Sequence, residues 1–293
     1  MLPQAIQERI QAVLGRAVLE FHPARGGYTQ ALRGAVRLDD GTTAFVKAAT
    51  DPLTAGWLRA EFRMYAALAG EPFLPHCLAR EDPGGDALPL LLLEDLSGAH
   101  WPPPWSAAQV AALHRTLARV HGCGTLAPDG LGCLEDDRPE IAGWARVADA
   151  PDGFLQLGFC GRAWLEAALP TLIDADRLAP LDGDDLCHVD VRSDNVCFRA
   201  DGGAVLVDWN WARLGNGAFD VAAWLPSLHA EGGPPPETLL PDAGPLAGIL
   251  AGFWAWNAAL PAPPTAPYVR LIQRRQLTTA LPWAARALGL RPP

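Results

Sequence analysis

Apolar positions first recur at helical spacing over residues 2–14, where Ile6, Ile10 and Val13 or Leu14 share a face and Gln, Glu and Arg lie between them. That spacing predicts an amphipathic helix. Strand-like runs follow at 17–21, 31–38 and 42–48. Asp39-Asp40-Gly41 joins the last two, and Asp-Gly favours a hairpin turn. Arg25-Gly26-Gly27-Tyr28-Thr29-Gln30 joins the first two. Strands linked through Gly26 and Gly27 can form a cover whose backbone amides approach phosphates, although a plain hairpin fits this segment equally well. Trp57, Leu58, Phe62, Tyr65 and Leu68 then repeat with helical period. Runs at 73–78 and 88–93 read as two more strands, the second so uniformly apolar that burial on both faces is expected.

Beyond residue 96 the pattern changes. Prolines 102–104 can continue neither a helix nor a central strand, so residues 97–105 read as a linker. Ser106 is a good N-cap for a helix over 107–121, with Val110, Leu113, Leu117 and Val120 as its apolar stripe. Further helices are expected over 162–173, 219–228, 246–260 and 268–288, the last broken at Pro282. Gly202-Gly203 marks a hairpin among them. No internal repeat is visible. Five strands followed by a mostly helical half predict an α+β chain with a sheet lobe over 1–96 and a second lobe over 97–293.

Composition narrows the function classes. A net charge of −10 argues against general nucleic-acid binding, which rests on neutralising phosphates, and is compatible with a cationic small partner. The six cysteines form no C-x-x-C pair, so metal ribbons and redox dithiols are unsupported. Cys187 and Cys197 read as small buried hydrophobes. The longest apolar stretch, 246–260, holds Asn257 and two glycines and is too short to span a bilayer. A cytoplasmic protein with no membrane partner is expected.

Positive charge in this chain comes from 22 arginines and a single lysine, Lys47, at the end of Thr42-Thr43-Ala44-Phe45-Val46. A compact ammonium on a flexible stem serves where a planar guanidinium would not fit, so a tight phosphate-facing site is one reason to keep one Lys; an Arg-biased composition is the plain alternative. Fourteen residues later comes Glu61, on the predicted helix, where it could pair with Lys47 or with neighbouring Arg59 and Arg63.

His188-Val189-Asp190-Val191-Arg192-Ser193-Asp194-Asn195 reads H-x-D-x-x-x-x-N, and Val205-Leu206-Val207-Asp208 ends an apolar strand in Asp. Phosphoryl transfer needs a carboxylate beside the attacking hydroxyl, here Asp190, and oxygen ligands for Mg²⁺ on the nucleotide, here Asn195 and Asp208. His188 reads as structural, hydrogen-bonded within the loop. A rival set, His188 with Asp190 and Asp208 as ligands of a hydrolytic transition metal, lacks a further histidine cluster.

With Lys47, Glu61, His188, Asp190, Asn195 and Asp208 in this order, the chain resembles the aminoglycoside phosphotransferase and choline kinase superfamily over nearly its whole length. The resemblance implies a two-lobed protein-kinase-like fold, with a five-stranded antiparallel sheet and a helix in the first lobe. It also implies ATP and Mg²⁺ as cofactors. Lys47, oriented by Glu61, would hold phosphates under a Gly26-Gly27 loop, and the backbone from Leu93 through Glu94 to Leu96 would face the adenine. Arg192 would touch the γ-phosphate, and Asp220 would support the catalytic loop. Two departures stand out. Asp208 is followed by Trp209-Asn210 instead of Phe-Gly, and no activation segment fits before Asp220, so a protein substrate is not expected. The implied acceptor is the hydroxyl of a small, cationic molecule such as an aminoglycoside; Asp149 with Asp152, and Asp182 with Asp184 and Asp185, could line its site, and a solvated loop is the plain alternative for each cluster. Choline, homoserine, a sugar, or a binding module without turnover are alternatives. A choline cage could draw on Trp209, Trp211, Trp224, Trp254 and Trp256, most of which read as core.

Overall fold

α1 (Gln4–Leu14) forms where the apolar stripe predicts it and stops at Gly15, whose φ of 67° suits glycine. The computed structural model describes residues 2–24, 31–264 and 266–293. Gly26 and Gly27 therefore lie outside the described residues. β1 (Val18–Pro23), β2 (Leu32–Leu38) and β3 (Thr43–Ala48) follow, β2 and β3 turning through Gly41 at φ 83°. At Gly34 a Cβ would fall 2.3 Å from the His22 carbonyl oxygen, so only glycine lets β1 and β2 come this close.

α2 (Pro52–Ala67) begins a turn before the apolar periodicity, because Asp51 and Thr54 form a reciprocal capping box with Pro52 in the first turn. Residues 73–78 do not form the expected strand: Phe73 and Leu74 are buried in a turn, and β4 starts only at Cys77 (Cys77–Glu81). Strong apolar character there reflects packing, not extension. β5 (Leu90–Leu93) is buried at all four positions and sits between β3 and β4 in the antiparallel order β1-β2-β3-β5-β4. Val36, Leu38, Val46, Ala48, Leu90 and Leu92 pack with Ile10 of α1 on one sheet face. Strand alternation sends Arg33, Phe45 and Lys47 to the other.

The chain divides into two units. The first holds everything up to Trp101, with Leu126–Pro128 and Asp194–Trp211. The hairpin of β7 (Val196–Phe198) and β8 (Ala204–Leu206) thus belongs to it. His100 and Phe198 exchange backbone hydrogen bonds of 3.0 and 2.9 Å, and Leu96, Cys197 and Val205 share a small core.

The second unit is mostly helical. α3 (Ala107–His121) carries the Ser106 cap, completed by Gln109. α4 (Arg138–Ile141), α5 (Trp144–Asp149) and α6 (Pro151–Leu155) are short helices that the periodicity does not predict. α7 (Arg162–Leu178) runs beyond its expected end, β6 (Asp185–Cys187) pairs with β9 (Arg213–Gly215), and α8 (Ala218–Ala230) follows. α9 (Gly244–Ala259) is buried along most of its length against α5, α7 and α10 (Val269–Ala287). The expected break at Pro282 does not occur. Leu277, Ala280 and Leu281 before it, and Trp283 and Ala284 after it, are all buried, and that continuous packing outweighs a proline cost of about 3 kcal/mol. No helix among the described residues is long and apolar enough to cross a membrane.

Candidate active site

In the first unit, Lys47 on β3 and Glu61 on α2 meet. The Lys47 ammonium donates to both Glu61 oxygens, at 2.7 and 3.0 Å, and to Asp208 Oδ1. Lys47 is 6% exposed and Glu61 3%, so this is an interior ion pair and not a surface contact with Arg59 or Arg63. Arg59 pairs with Asp82 instead. Burial disfavours the ammonium, but the Asp208 and Glu61 carboxylates outweigh it and hold the Lys47 pKa above the ordinary lysine value. Burial pushes the Glu61 carboxyl up, opposed by Lys47 and assisted by the Asp208 charge.

Asp208 adopts φ 65°, a left-handed conformation that Asp tolerates, just past β8. Val207 N–H donates to the Asn195 carbonyl at 3.0 Å, which brings Asn195 and Asp208 to one end of the β7–β8 hairpin. Asn195 is 2% exposed. Behind Asp208, Trp209 stacks on Phe73 with ring centroids 5.8 Å apart. Glu94 and Leu96 are engaged within the same unit. The Glu94 N–H donates to His76 O at 2.8 Å and its carboxylate pairs with Arg199; the Leu96 carbonyl accepts from Ala99 N and Trp101 Nε1, both at 3.0 Å.

In the second unit the H-x-D turn is held by Asp220. Its buried carboxylate accepts the N–H groups of His188 and Val189, both at 2.7 Å, and contacts His121 Nε2 at 3.2 Å. Those two bonds hold Val189 at φ 70°, an uncommon conformation for a β-branched residue. His188 Nδ1 accepts the Asp190 N–H at 3.3 Å, a bond within the loop. Arg192 Nη1 lies 3.1 Å from Asp190 Oδ1, so the structure sets the guanidinium on that carboxylate. Ser193 Oγ donates to Glu231 Oε1 at 2.7 Å, and Trp105 Nε1 donates to Glu231 Oε2 at 2.8 Å. Among the described residues, no three His, Cys, Asp or Glu side chains converge to hold a metal ion.

Sequence reasoning overlooked Arg33, His121, Tyr65 and Glu231. Arg33 was within reach of it: a turn at Asp40-Gly41 sets a register in which Arg33 opposes Lys47. The others depend on which helices pack together, and no local signal marks them.

Residues 20–261 match the model of the phosphotransferase enzyme family. No curated protein matches the chain by sequence. Its fold is similar to that of many solved structures, and these include the following three. An aminoglycoside phosphotransferase from Alicyclobacillus acidocaldarius is 16% identical with TM-score 0.57, covering 95% of this chain and 94% of that one. The choline kinase LicA from Streptococcus pneumoniae is 15% identical with TM-score 0.61, covering 98% of both. A spectinomycin phosphotransferase solved with ADP and spectinomycin is 13% identical with TM-score 0.61, covering 99% of both. At such identities the likeness concerns the fold, which is α+β, two-lobed and protein-kinase-like.

Proposed function

The chain belongs to the phosphotransferase enzyme family, and from that premise we propose that it transfers the γ-phosphoryl group of ATP to a hydroxyl of a small, cationic acceptor of aminoglycoside type. The observation that carries the reading is the buried Lys47–Glu61 pair facing Asp208. An ammonium held this far from water has its charge and position set before any ligand arrives, which is what a loose phosphoryl-transfer transition state rewards.

Lys47 binds the α- and β-phosphates, with Glu61 fixing its direction. Asn195 and Asp208 offer an amide oxygen and a carboxylate, hard donors of the kind Mg²⁺ takes alongside phosphates, and both lie at one hairpin end. Bound there, Mg²⁺ supplies neutralisation of phosphate charge. Asp190 orients the acceptor hydroxyl and takes its proton late, and Arg192 keeps a positive charge beside it for the γ-phosphoryl group. The backbone from Glu94 to Leu96 meets the adenine edge. The short path from Asp208 to α8, through a turn and β9, has no room for the activation segment on which protein kinases dock their substrates, and this supports a small-molecule acceptor.

A cationic acceptor accords with the net charge of −10, and Asp149, Asp182 and Asp184 are exposed. Asp152 is paired with Arg162, and Asp185 takes the Gly217 N–H. A choline cage is less well supported: Trp209, Trp224 and Trp254 are buried in packing, and Arg146 lies 5.4 Å from the Trp256 ring centroid.

The test is ADP release from Mg-ATP across aminoglycosides, choline, homoserine and sugars, with Asp190→Asn alongside. Release that depends on an aminoglycoside and drops at least about 100-fold in the variant is expected. Release that is indifferent to every acceptor, or equal in the variant, refutes the mechanism. Choline- or sugar-dependent release redirects the acceptor alone.

A further inference from the structure

Arg33 and Lys47 are directly opposed across β2 and β3, so their side chains leave the same face of the sheet. Both reach Asp208. Lys47 takes Oδ1, and Arg33 Nη1 lies 3.9 Å from Oδ2. With Glu61 also on Lys47, two cations and two carboxylates gather at the hairpin end.

A nucleotide arriving with its metal would change this balance. A divalent ion bound at Asp208 would repel the two cations that its oxygens now face. Lys47 keeps Glu61 at 2.7 Å when Asp208 is drawn away. The Arg33–Asp208 pair is longer and less buried: the Arg33 side chain is 17% exposed against 7% for Lys47. Arg33 is also well held at its backbone. Its carbonyl accepts the Ala24 N–H at 3.0 Å, and neighbouring Gly34 packs too tightly on β1 for the strand to slide.

We propose that Arg33 is a second phosphate-binding residue, whose guanidinium moves from Asp208 to the nucleotide phosphates and grips them beside Lys47. A guanidinium presents paired donors that match phosphate oxygens, and a triphosphate brings more negative charge than one ammonium neutralises. A role confined to neutralising Asp208 predicts different nucleotide binding.

The assignment rests on the nucleotide-binding reading of this site, so the experiment reads binding and not turnover. Calorimetric titration of adenosine, ADP and ATP, each with and without Mg²⁺, compares the parent with Arg33→Gln and Arg33→Lys; melting temperatures verify that all three are folded. Arg33→Gln is expected to weaken ADP and ATP about 10- to 100-fold, leave adenosine within about 2-fold, and be partly rescued in Arg33→Lys. ADP and ATP binding equal to the parent, or an equal loss for adenosine, overturns the phosphate role. A parent that binds no adenine nucleotide overturns the functional reading itself, which is a distinguishable result.

Discussion

Val189 shows how one side chain can sustain a conformation that the local sequence resists. A β-branched residue at φ 70° costs on the order of 1–3 kcal/mol, and Asp220 offsets this by receiving two consecutive N–H groups at 2.7 Å. Asp220→Ala leaves those donors buried without their acceptor. Denaturant unfolding should show a loss of about 2–4 kcal/mol, with kcat falling further than the residual stability explains, because Asp190 sits on the released loop. An unfolding midpoint equal to the parent's would show that the loop holds itself. Tyr65 is the opposite case. Its hydroxyl is buried one turn beyond Glu61, and no described residue pairs with it. Burial, then the charges of Glu61 and Asp208, push its pKa well above the ordinary phenol value, so it stays protonated. Tyr65→Phe should be neutral or stabilising by about 1 kcal/mol in the absence of ligand, and a clear loss in thermal melts would mean that the hydroxyl has a partner.

Among the elements, α5, α7 and α9 meet so closely that a Cβ on Gly143 would fall 1.9 Å from the Gly252 carbonyl. Asp176 of α7 is caught in that contact, 5% exposed, with Oδ2 accepting the Trp144 N–H at 2.8 Å and no described partner for Oδ1. Burial raises its pKa from 3.8 to about 7, against the lowering effect of the Trp144 N–H and the Arg146 and Arg138 charges. The folded protein therefore keeps a proton that the unfolded chain releases between about 4 and about 7. Stability contributed by Asp176 is complete at the acid end of that window, falls as pH rises through it, and is level above it. The span is worth up to about 4 kcal/mol. Asp176→Asn, melted at pH 5 and at pH 8, should gain on the parent mainly at pH 8; an equal difference at both would show that Asp176 is ionised throughout.

For the whole molecule, ligand linkage is the measurable consequence of the site. Mg-ATP at about 100 times its Kd should stabilise the chain by about 2.7 kcal/mol and raise Tm by about 5 °C. Chelating the metal should remove most of that rise, since the Asp208 carboxylate, facing the phosphates, then repels them. A shift of the same size with and without Mg²⁺ would mean that the nucleotide is held elsewhere.

Much of this was legible before folding was considered. Alternating strands, the Asp40-Gly41 turn, the Ser106 cap and the order Lys47, Glu61, Asp190, Asn195, Asp208 follow from spacing and local chemistry alone, because strands, turns, caps and loop motifs depend on near neighbours. The Asp51-Thr54 capping box was equally local, though apolar periodicity hides it. Other features lay beyond any local reading. α5 and α6 exist because Trp144, Val147 and Phe154 find a buried surface, to which α9 contributes. α10 passes through Pro282 because its apolar face is covered on both sides of it. The burial of Lys47, the second cation at Arg33 and the support from Asp220 arise between residues far apart in the chain. Propensity and pattern act over a few residues, whereas burial and charge pairing act over distances that only the packed chain defines.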